Sequence, residues 1–385
     1  MKRTSSGTSL RQGYGWRASA LVLALAAFCG IVVIGAASAR AQADLAQKHV
    51  AASQAAVSPK GGVPPRQDYL VYQALHDQFC AQPKNLPDVV RNEDRGPVPS
   101  RDKWYVPPVQ MFDNLYFIGT NAAAIYVVNS PDGMAMIDAN FDWDAKDLVL
   151  ELKDFGLDPN NIKYIIITQA HDDRYWGAKS LQDTYPNAHI VMSALDWDVV
   201  AKDSSPDRVK PKKDMIATDG EQFKLGSATI TTYITPGHTP GTISPIITGL
   251  TNKMSAHPDN MTHTASLWGG ADINLGRAGV QYWADGQAMM KTYIASMKRF
   301  QELNQKAGTD VILSTNMRHI SVGDRLQIWR EMNPSRPMNG ATVTAEQTAE
   351  VAKDPNPFVS KDGAERYYTV LGECYEAQLA WRIDP

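Results

Sequence analysis

The chain has 385 residues, a formal net charge of −3 and 43% hydrophobic residues. That is enough for one large α/β domain with appendages or for two small domains. Acidic and basic residues are interspersed, so there is no broad positive field to hold a nucleic acid, and that class of partner is excluded. The expected partner is a small molecule; the oligomeric state is not legible.

Arg3, Arg11 and Arg17 precede the apolar run Ala18 to Ala39, which ends in Ala39-Arg40-Ala41 and Ala41-Gln42-Ala43. Positive, then apolar, then Ala-x-Ala is the order of a secretory signal, with cleavage expected after Ala41 or Ala43 and a periplasmic or secreted mature protein. The run is long for a signal, so a retained anchor is the alternative. Cys29 follows Phe28, a poor fit to a lipoprotein processing site. The chain therefore divides into a signal (1–43), an N-terminal arm with one helix (44–108) and a main domain (109–385). Cys80 and Cys374 remain after cleavage; they either pair, tying the arm to the C-terminal helix, or stay as two buried thiols.

In the arm, Pro64-Pro65, Pro97, Pro99 and Pro107-Pro108 break the chain, and the spacing of Leu70, Tyr72, Leu75 and Phe79 predicts a helix over 67–80. Short strands follow at 115–118, 123–128 and 134–138, the last two joined by the turn Ser130-Pro131-Asp132-Gly133. The pattern then alternates: helix 144–155, strand 164–167, helix 175–184, strand 189–192, helix 194–201. A second strand group is predicted at 222–225, 229–234, 243–247 and 266–269, then a long amphipathic helix 286–307 and a strand 311–313. Strands and helices in succession, twice over, imply two sheets face to face with helices outside.

The most informative segment is Ile165-Ile166-Ile167-Thr168-Gln169-Ala170-His171-Asp172-Asp173-Arg174. An apolar strand delivers the chain into a loop of metal-capable side chains, where a rigid sheet fixes the loop and leaves it open to solvent. A second segment, Thr235-Pro236-Gly237-His238-Thr239-Pro240-Gly241, brackets one imidazole between glycines and prolines, which demands a tight turn.

The first segment resembles the H-x-H-x-D-H loop of the metallo-β-lactamase superfamily, read here as Gln-x-His-x-Asp-Arg, and the second is similar to that family's T-P-G-H-T-x-G turn. The resemblance extends from about Phe112 to the C-terminus. Gly270-Ala271-Asp272-Ile273, Asp310 to Met317 and Asn356-Pro357-Phe358-Val359 resemble the late segments of the third (B3) subclass, with Ile273 where that subclass has serine and Asn316-Met317 where it has His-Pro. It implies an α/β fold, the four-layer αββα sandwich of two mixed sheets, and a strand-end Asp138 that holds the metal loop by hydrogen bonds.

Carried over residue by residue, the resemblance implies a first zinc site of Gln169, His171 and His238, with an amide oxygen replacing one imidazole. The second would be Asp173, Arg174 and Asn316. A guanidinium has no lone pair and repels a metal, so one zinc ion is expected, the second position being degenerate. Neither Cys80 nor Cys374 lies where a thiolate would be needed to complete it; His319 is an alternative filler. His49, His76, His189, His257 and His263 match no ligand position. Asp173 and Arg174 are the catalytic candidates, Asp173 as base, Arg174 either as a fixed positive charge replacing the second ion or as an ion-pair partner that closes the site. Trp143 is expected at the pocket mouth and Trp176 in the core. The reading is an exported zinc-dependent hydrolase of an amide, lactam or ester bond; the alternative is a catalytically impaired ligand-binding protein on the same fold.

Overall fold

The computed structural model describes residues 38–58, 66–80, 83, 98–204, 209–253, 258–277, 279–317, 322, 325–326 and 356–382. Most of the expected signal, His257 and His319 lie outside the described residues. None of the helices among the described residues is long and apolar enough to cross a membrane.

Seven strands form the first sheet in the order β1 (Tyr105–Phe112), β2 (Leu115–Thr120), β3 (Ala124–Ser130), β4 (Gly133–Ile137), β5 (Ile162–Ile166), β6 (His189–Ser193) and β7 (Met215–Ala217). Pairing is antiparallel from β1 to β4 and parallel from β4 to β7. The parallel pairs need crossovers, supplied by helices α4 (Ala145–Leu150), α5 (Asp172–Thr184) and α6 (Ala194–Lys202). Pro107 and Pro108, read from sequence as breaks, lie inside β1. They are tolerated there because β1 is an edge strand, where a missing N–H need not interrupt a ladder.

The second sheet runs β14 (Val311–Ser314), β11 (Thr262–Trp268), β10 (Ile243–Thr251), β9 (Ala228–Ile234) and β8 (Glu221–Leu225). Only β11 and β14 pair in parallel, and their crossover contains the helix α7 (Gly286–Ala307). A small hairpin of β12 (Gly276–Arg277) and β13 (Val280–Gln281), invisible in the sequence pattern, precedes α7. The last helix, α8 (Gly363–Ala380), lies with α7 on the outside of this sheet.

Two-residue periodicity divides the core. Ala124, Tyr126 and Val128 of β3 face the cluster that fills the space between the sheets, whereas Ile125 and Val127 face the cluster under α4, α5 and α6. The same alternation separates Ala135 and Ile137 from Met134 and Met136 on β4. On α7, Met289, Met290, Tyr293, Ile294, Met297 and Phe300 form the apolar stripe and join the cluster about the second sheet. The arrangement is the αββα sandwich.

The N-terminal helices α1 (38–56) and α2 (Arg66–Cys80) pack on α8, and a single turn, α3 (Arg101–Trp104), leads into β1. Cys80 and Cys374 form a disulfide. Ser53 is buried beside it, donating to the Val370 carbonyl at 3.0 Å and contacting His76 Nδ1 at 2.9 Å. The bridge closes a loop spanning 294 residues, so opening it releases much denatured-state entropy. Reduction is expected to lower stability by about 2–4 kcal/mol. Chemical denaturation with and without a dithiol checks this, and an unchanged midpoint in protein whose thiols titrate as free would contradict it.

His263, without a place in the metal motifs, instead ties β11 to the start of β14. Its Nδ1 lies 2.7 Å from Asp310, and its Nε2 lies 3.1 Å from Asp259. These two carboxylates raise its pKa above 6.5, the Asp310 hydrogen bond contributing most. Asp259 is lowered below 3.8, its hydrogen bonds from Met261 N–H and His263 outweighing partial burial. The contribution from His263 is complete below the unfolded value of 6.5 and disappears as pH rises through its raised folded value. That from Asp259 is present above 3.8 and disappears as pH falls through its lowered value. Stability-pH curves of the wild type and His263→Gln should therefore diverge most between those limits and converge in alkali; parallel curves throughout would remove the lock.

Candidate metal centre

Strand β5 ends at Ile166, and the chain turns at once through Thr168, Gln169 and Ala170 into α5, with His171 as the N-cap residue. Asp173 and Arg174, read from sequence as loop residues before a helix beginning at Tyr175, stand in the first turn of α5. Acidic residues are favoured at that helix end by the backbone dipole, which explains why the helix starts early.

Asp138 follows β4 in a left-handed conformation, φ 68°, and is fully buried. Its Oδ1 accepts from Thr168 N–H at 2.7 Å and from Thr168 Oγ1–H at 2.8 Å. It is thus the loop-holding residue that the resemblance implies. Burial raises its pKa to about 7, against the pull of Arg174 and the Thr168 hydrogen bonds.

A second buried carboxylate was not legible as part of the site. Asp196, in the first turn of α6, accepts from Ala170 N–H at 3.0 Å, from Thr239 Oγ1–H at 2.7 Å and from Gly241 N–H at 2.8 Å. Burial raises its pKa to about 6 in spite of these three donors. The signal that could have drawn attention to it is Ser193-x-x-Asp196 at a helix start, half of a capping box: the Ser193 hydroxyl accepts from Asp196 N–H at 3.2 Å.

His171 and His238 converge. His238 Nε2 lies 3.0 Å from His171 Nδ1, and both rings are buried. Their tautomers follow from their neighbours. The Asp272 carbonyl can only accept, so His238 Nδ1–H donates to it at 2.6 Å and Nε2 keeps a lone pair. His171 Nδ1–H then donates to that lone pair, and His171 Nε2 accepts from the Asn274 amide at 3.3 Å. Asn274 is held in this orientation because its Oδ1 accepts from Gly276 N–H at 3.0 Å. Burial lowers the pKa of His238, more than Asp272 and Asp173 raise it, so the ring is neutral at pH 7. Gly270 permits this packing: a Cβ there would fall 2.4 Å from the His238 ring.

Gln169 is 2% exposed, and its Oε1 is buried with no hydrogen-bond partner among the described residues. An orphaned amide oxygen beside two imidazoles fits a cation. Two nitrogens bound to zinc at about 2.0–2.1 Å in tetrahedral geometry stand about 3.3 Å apart, close to the separation seen here. The donor set Gln169, His171 and His238 therefore fits zinc, with the proton shared between the rings displaced on binding.

The second position is filled differently. The Arg174 guanidinium is buried, donates from one terminal nitrogen to the Thr315 carbonyl at 2.8 Å, and pairs through the other with Asp173 Oδ2 at 3.2 Å. Its Nε lies 3.7 Å from Asp138 Oδ2. Asn316 reaches the same cavity from the end of β14, anchored by a bridge to Ala123. Ile273 packs against the core. Trp176 is buried as expected, but Trp143 does not line the cavity; it stacks on Phe141 at 5.2 Å and meets Trp104 edge-on at 5.1 Å, because burying three rings together removes more apolar surface from water.

The cavity holds about 100 Å³ and is lined by Gln169, His171, Asp173, Arg174, His238 and Asn316 among others. Small-molecule sites commonly exceed about 300 Å³, and the β12–β13 hairpin contributes Arg277 to this smaller one. Arg277 on that hairpin pairs with Asp172 at 2.8 Å, and Tyr282 stacks on His171 at 5.9 Å.

These two loops, on the shared edge of an αββα sandwich, define a protein of the metallo-β-lactamase fold. Residues 118–250 match the model of the metallo-beta-lactamase superfamily. Among solved structures, BJP-1, a subclass B3 metallo-β-lactamase of Bradyrhizobium japonicum, is 21% identical with a TM-score of 0.55 over 72% of this chain and 95% of that one. The FEZ-1 Y228A variant from Legionella gormanii is 20% identical, TM-score 0.55, over 71% and 94%. A Cronobacter sakazakii metallo-β-lactamase with a HARLDQ motif is 21% identical, TM-score 0.53, over 72% and 96%. That motif, set beside Gln-Ala-His-Asp-Asp-Arg, shares its alanine and aspartate and likewise departs from H-x-H-x-D-H. Curated relatives are the uncharacterized YobT of Bacillus subtilis, 27% identical over 129 residues, and Glyoxylase B2 of Dictyostelium discoideum, 31% identical over 109 residues. The matches span 54% and 36% of those proteins.

Proposed function

We propose that the chain is an exported zinc-dependent hydrolase, B3-like in architecture, that opens an amide, lactam or ester bond of a small molecule with one metal ion. In this reading residues 1–43 are a cleaved secretory signal, 44–108 an arm with its helix, and 109–385 the catalytic domain, acting in the periplasm or outside the cell. The observation that carries it is that Gln169, its Oε1 orphaned and buried, lines one cavity with two imidazoles 3.0 Å apart.

Gln169, His171 and His238 hold the ion. A zinc ion in that position would supply Lewis acidity, making hydroxide available near neutral pH. Asp173 lines the cavity with one quarter of its side chain exposed, where it accepts the proton of the attacking water and orients it. Arg174 stands where a second ion would have carried positive charge and faces the anion that develops on the leaving atom. Its bond to the Thr315 carbonyl and its pair with Asp173 keep it in place. Asn316 completes the polar wall. The fold hosts many reactions, so the substrate is not taken from its relatives.

Zinc titration of the chelator-stripped protein is expected to saturate near one ion per chain, with hydrolysis of a chromogenic lactam or ester appearing in parallel and lost on chelation. Protein that takes up no zinc sinks this reading. The buried Arg174–Asp173 pair favours a second reading, a ligand-binding protein with impaired catalysis. With its metal absent or only structural, it would show thermal stabilisation by ligands and no product.

A further inference from the structure

We propose that Asp196 is a positioning residue for the zinc site, joining the two ligand-bearing loops into one unit. This rests on the one-metal reading above. Its carboxylate sits between the loops and bonds to both. Oδ2 accepts from Ala170 N–H, the peptide between Gln169 and His171, and from the hydroxyl of Thr239, which follows His238. Oδ1 accepts from Gly241 N–H, which closes the His238 turn.

The base of this clamp is rigid. Asp196 occupies the first turn of α6, and its own N–H is held by the Ser193 hydroxyl. The approach is also close: a Cβ on Gly241 would lie 2.0 Å from Ser193 Oγ and 2.8 Å from Asp196 Oδ1, so only glycine lets that turn descend onto the helix. Asp138 holds Thr168 from the other side. Gln169 therefore lies between two anchored peptides, and hydrogen bonds to one carboxylate couple the loop that carries His171 to the turn that carries His238.

All three partners are donors, so the clamp needs an acceptor at both oxygens. An asparagine must turn its NH₂ toward either Gly241 N–H or the Ala170 and Thr239 donors, releasing one loop. In the full chain, Asp196→Asn is expected to weaken zinc affinity about ten- to a hundredfold, as loss of a ligand-orienting partner does, and to alter the absorption bands of the cobalt(II)-substituted protein. Zinc affinity is measured by competition with a chromophoric chelator, beside the thermal midpoint of the metal-free protein.

Cys80→Ser is the control, since it loosens the fold at a disulfide neither of whose cysteines lines the cavity. It is expected to lower the metal-free midpoint and leave zinc affinity at the wild-type level. If Asp196→Asn binds zinc as the wild type does, or if the control loses affinity in proportion to its midpoint, the positioning role is overturned and the one-metal reading stands. If the wild type itself takes up no zinc, both fall.

Discussion

His238→Ala is expected to take zinc stoichiometry from about one ion per chain to near zero and to reduce hydrolysis by more than about a hundredfold, because two remaining donors do not hold zinc in a catalytic site. The ring is anchored by the Asp272 carbonyl and meets His171 at 3.0 Å. Removing it also leaves His171 Nδ1–H without its acceptor, a cost of about 1–3 kcal/mol. The metal-free variant should therefore fold, with a modestly lowered midpoint, so loss of zinc is separable from loss of structure. A variant that retains one tightly bound zinc would place the ion elsewhere and refute the assignment of the site.

Arg174→Ala has the largest expected effect on stability, about 3–5 kcal/mol, as for breaking a buried ion pair from one side. Arg174 is 3% exposed, and its removal leaves the Thr315 carbonyl with only the Ala124 N–H, frees Asp173 and takes the guanidinium away from Asp138. Asp138 already has a pKa raised to about 7 by burial; without the guanidinium it rises further and the carboxyl takes up a proton. Denaturant unfolding at neutral pH measures the cost. Arg174→Lys should recover only part of it, since an ammonium cannot bond the carbonyl and pair with Asp173 with the geometry of a planar fork. Stability within about 0.5 kcal/mol of the wild type in Arg174→Ala would show that the guanidinium is not integral to the fold.

Much of the site was legible. Gln169, His171, Asp173, Arg174, His238 and Asn316 were all read from their motifs, and the cavity is lined by all six. These residues are conspicuous because polar, metal-capable groups stand at the ends of apolar strands, where core packing cannot explain them. The long helix 286–307 was equally plain, its one-sided apolar stripe matching the structure. Asp196 was missed because its partners are backbone N–H groups and a threonine hydroxyl on two distant loops, and a carboxylate in a helix reads as solvated unless its burial is known. The β12–β13 hairpin was missed because each strand has only two residues, too few for any periodicity.

What the sequence by itself determined was most of the order of elements, the αββα class and which metal-capable side chains stand at strand ends, since hydrophobic period and strand-end chemistry are local properties of the chain. What only the tertiary structure decided was pairing across distance. It decided that Cys80 meets Cys374, that Arg174 turns onto the Thr315 carbonyl, and that Arg277, which lines the cavity, reaches Asp172. Such contacts depend on the three-dimensional positions of groups far apart along the chain, set by the packing of two sheets, and no local pattern carries that information.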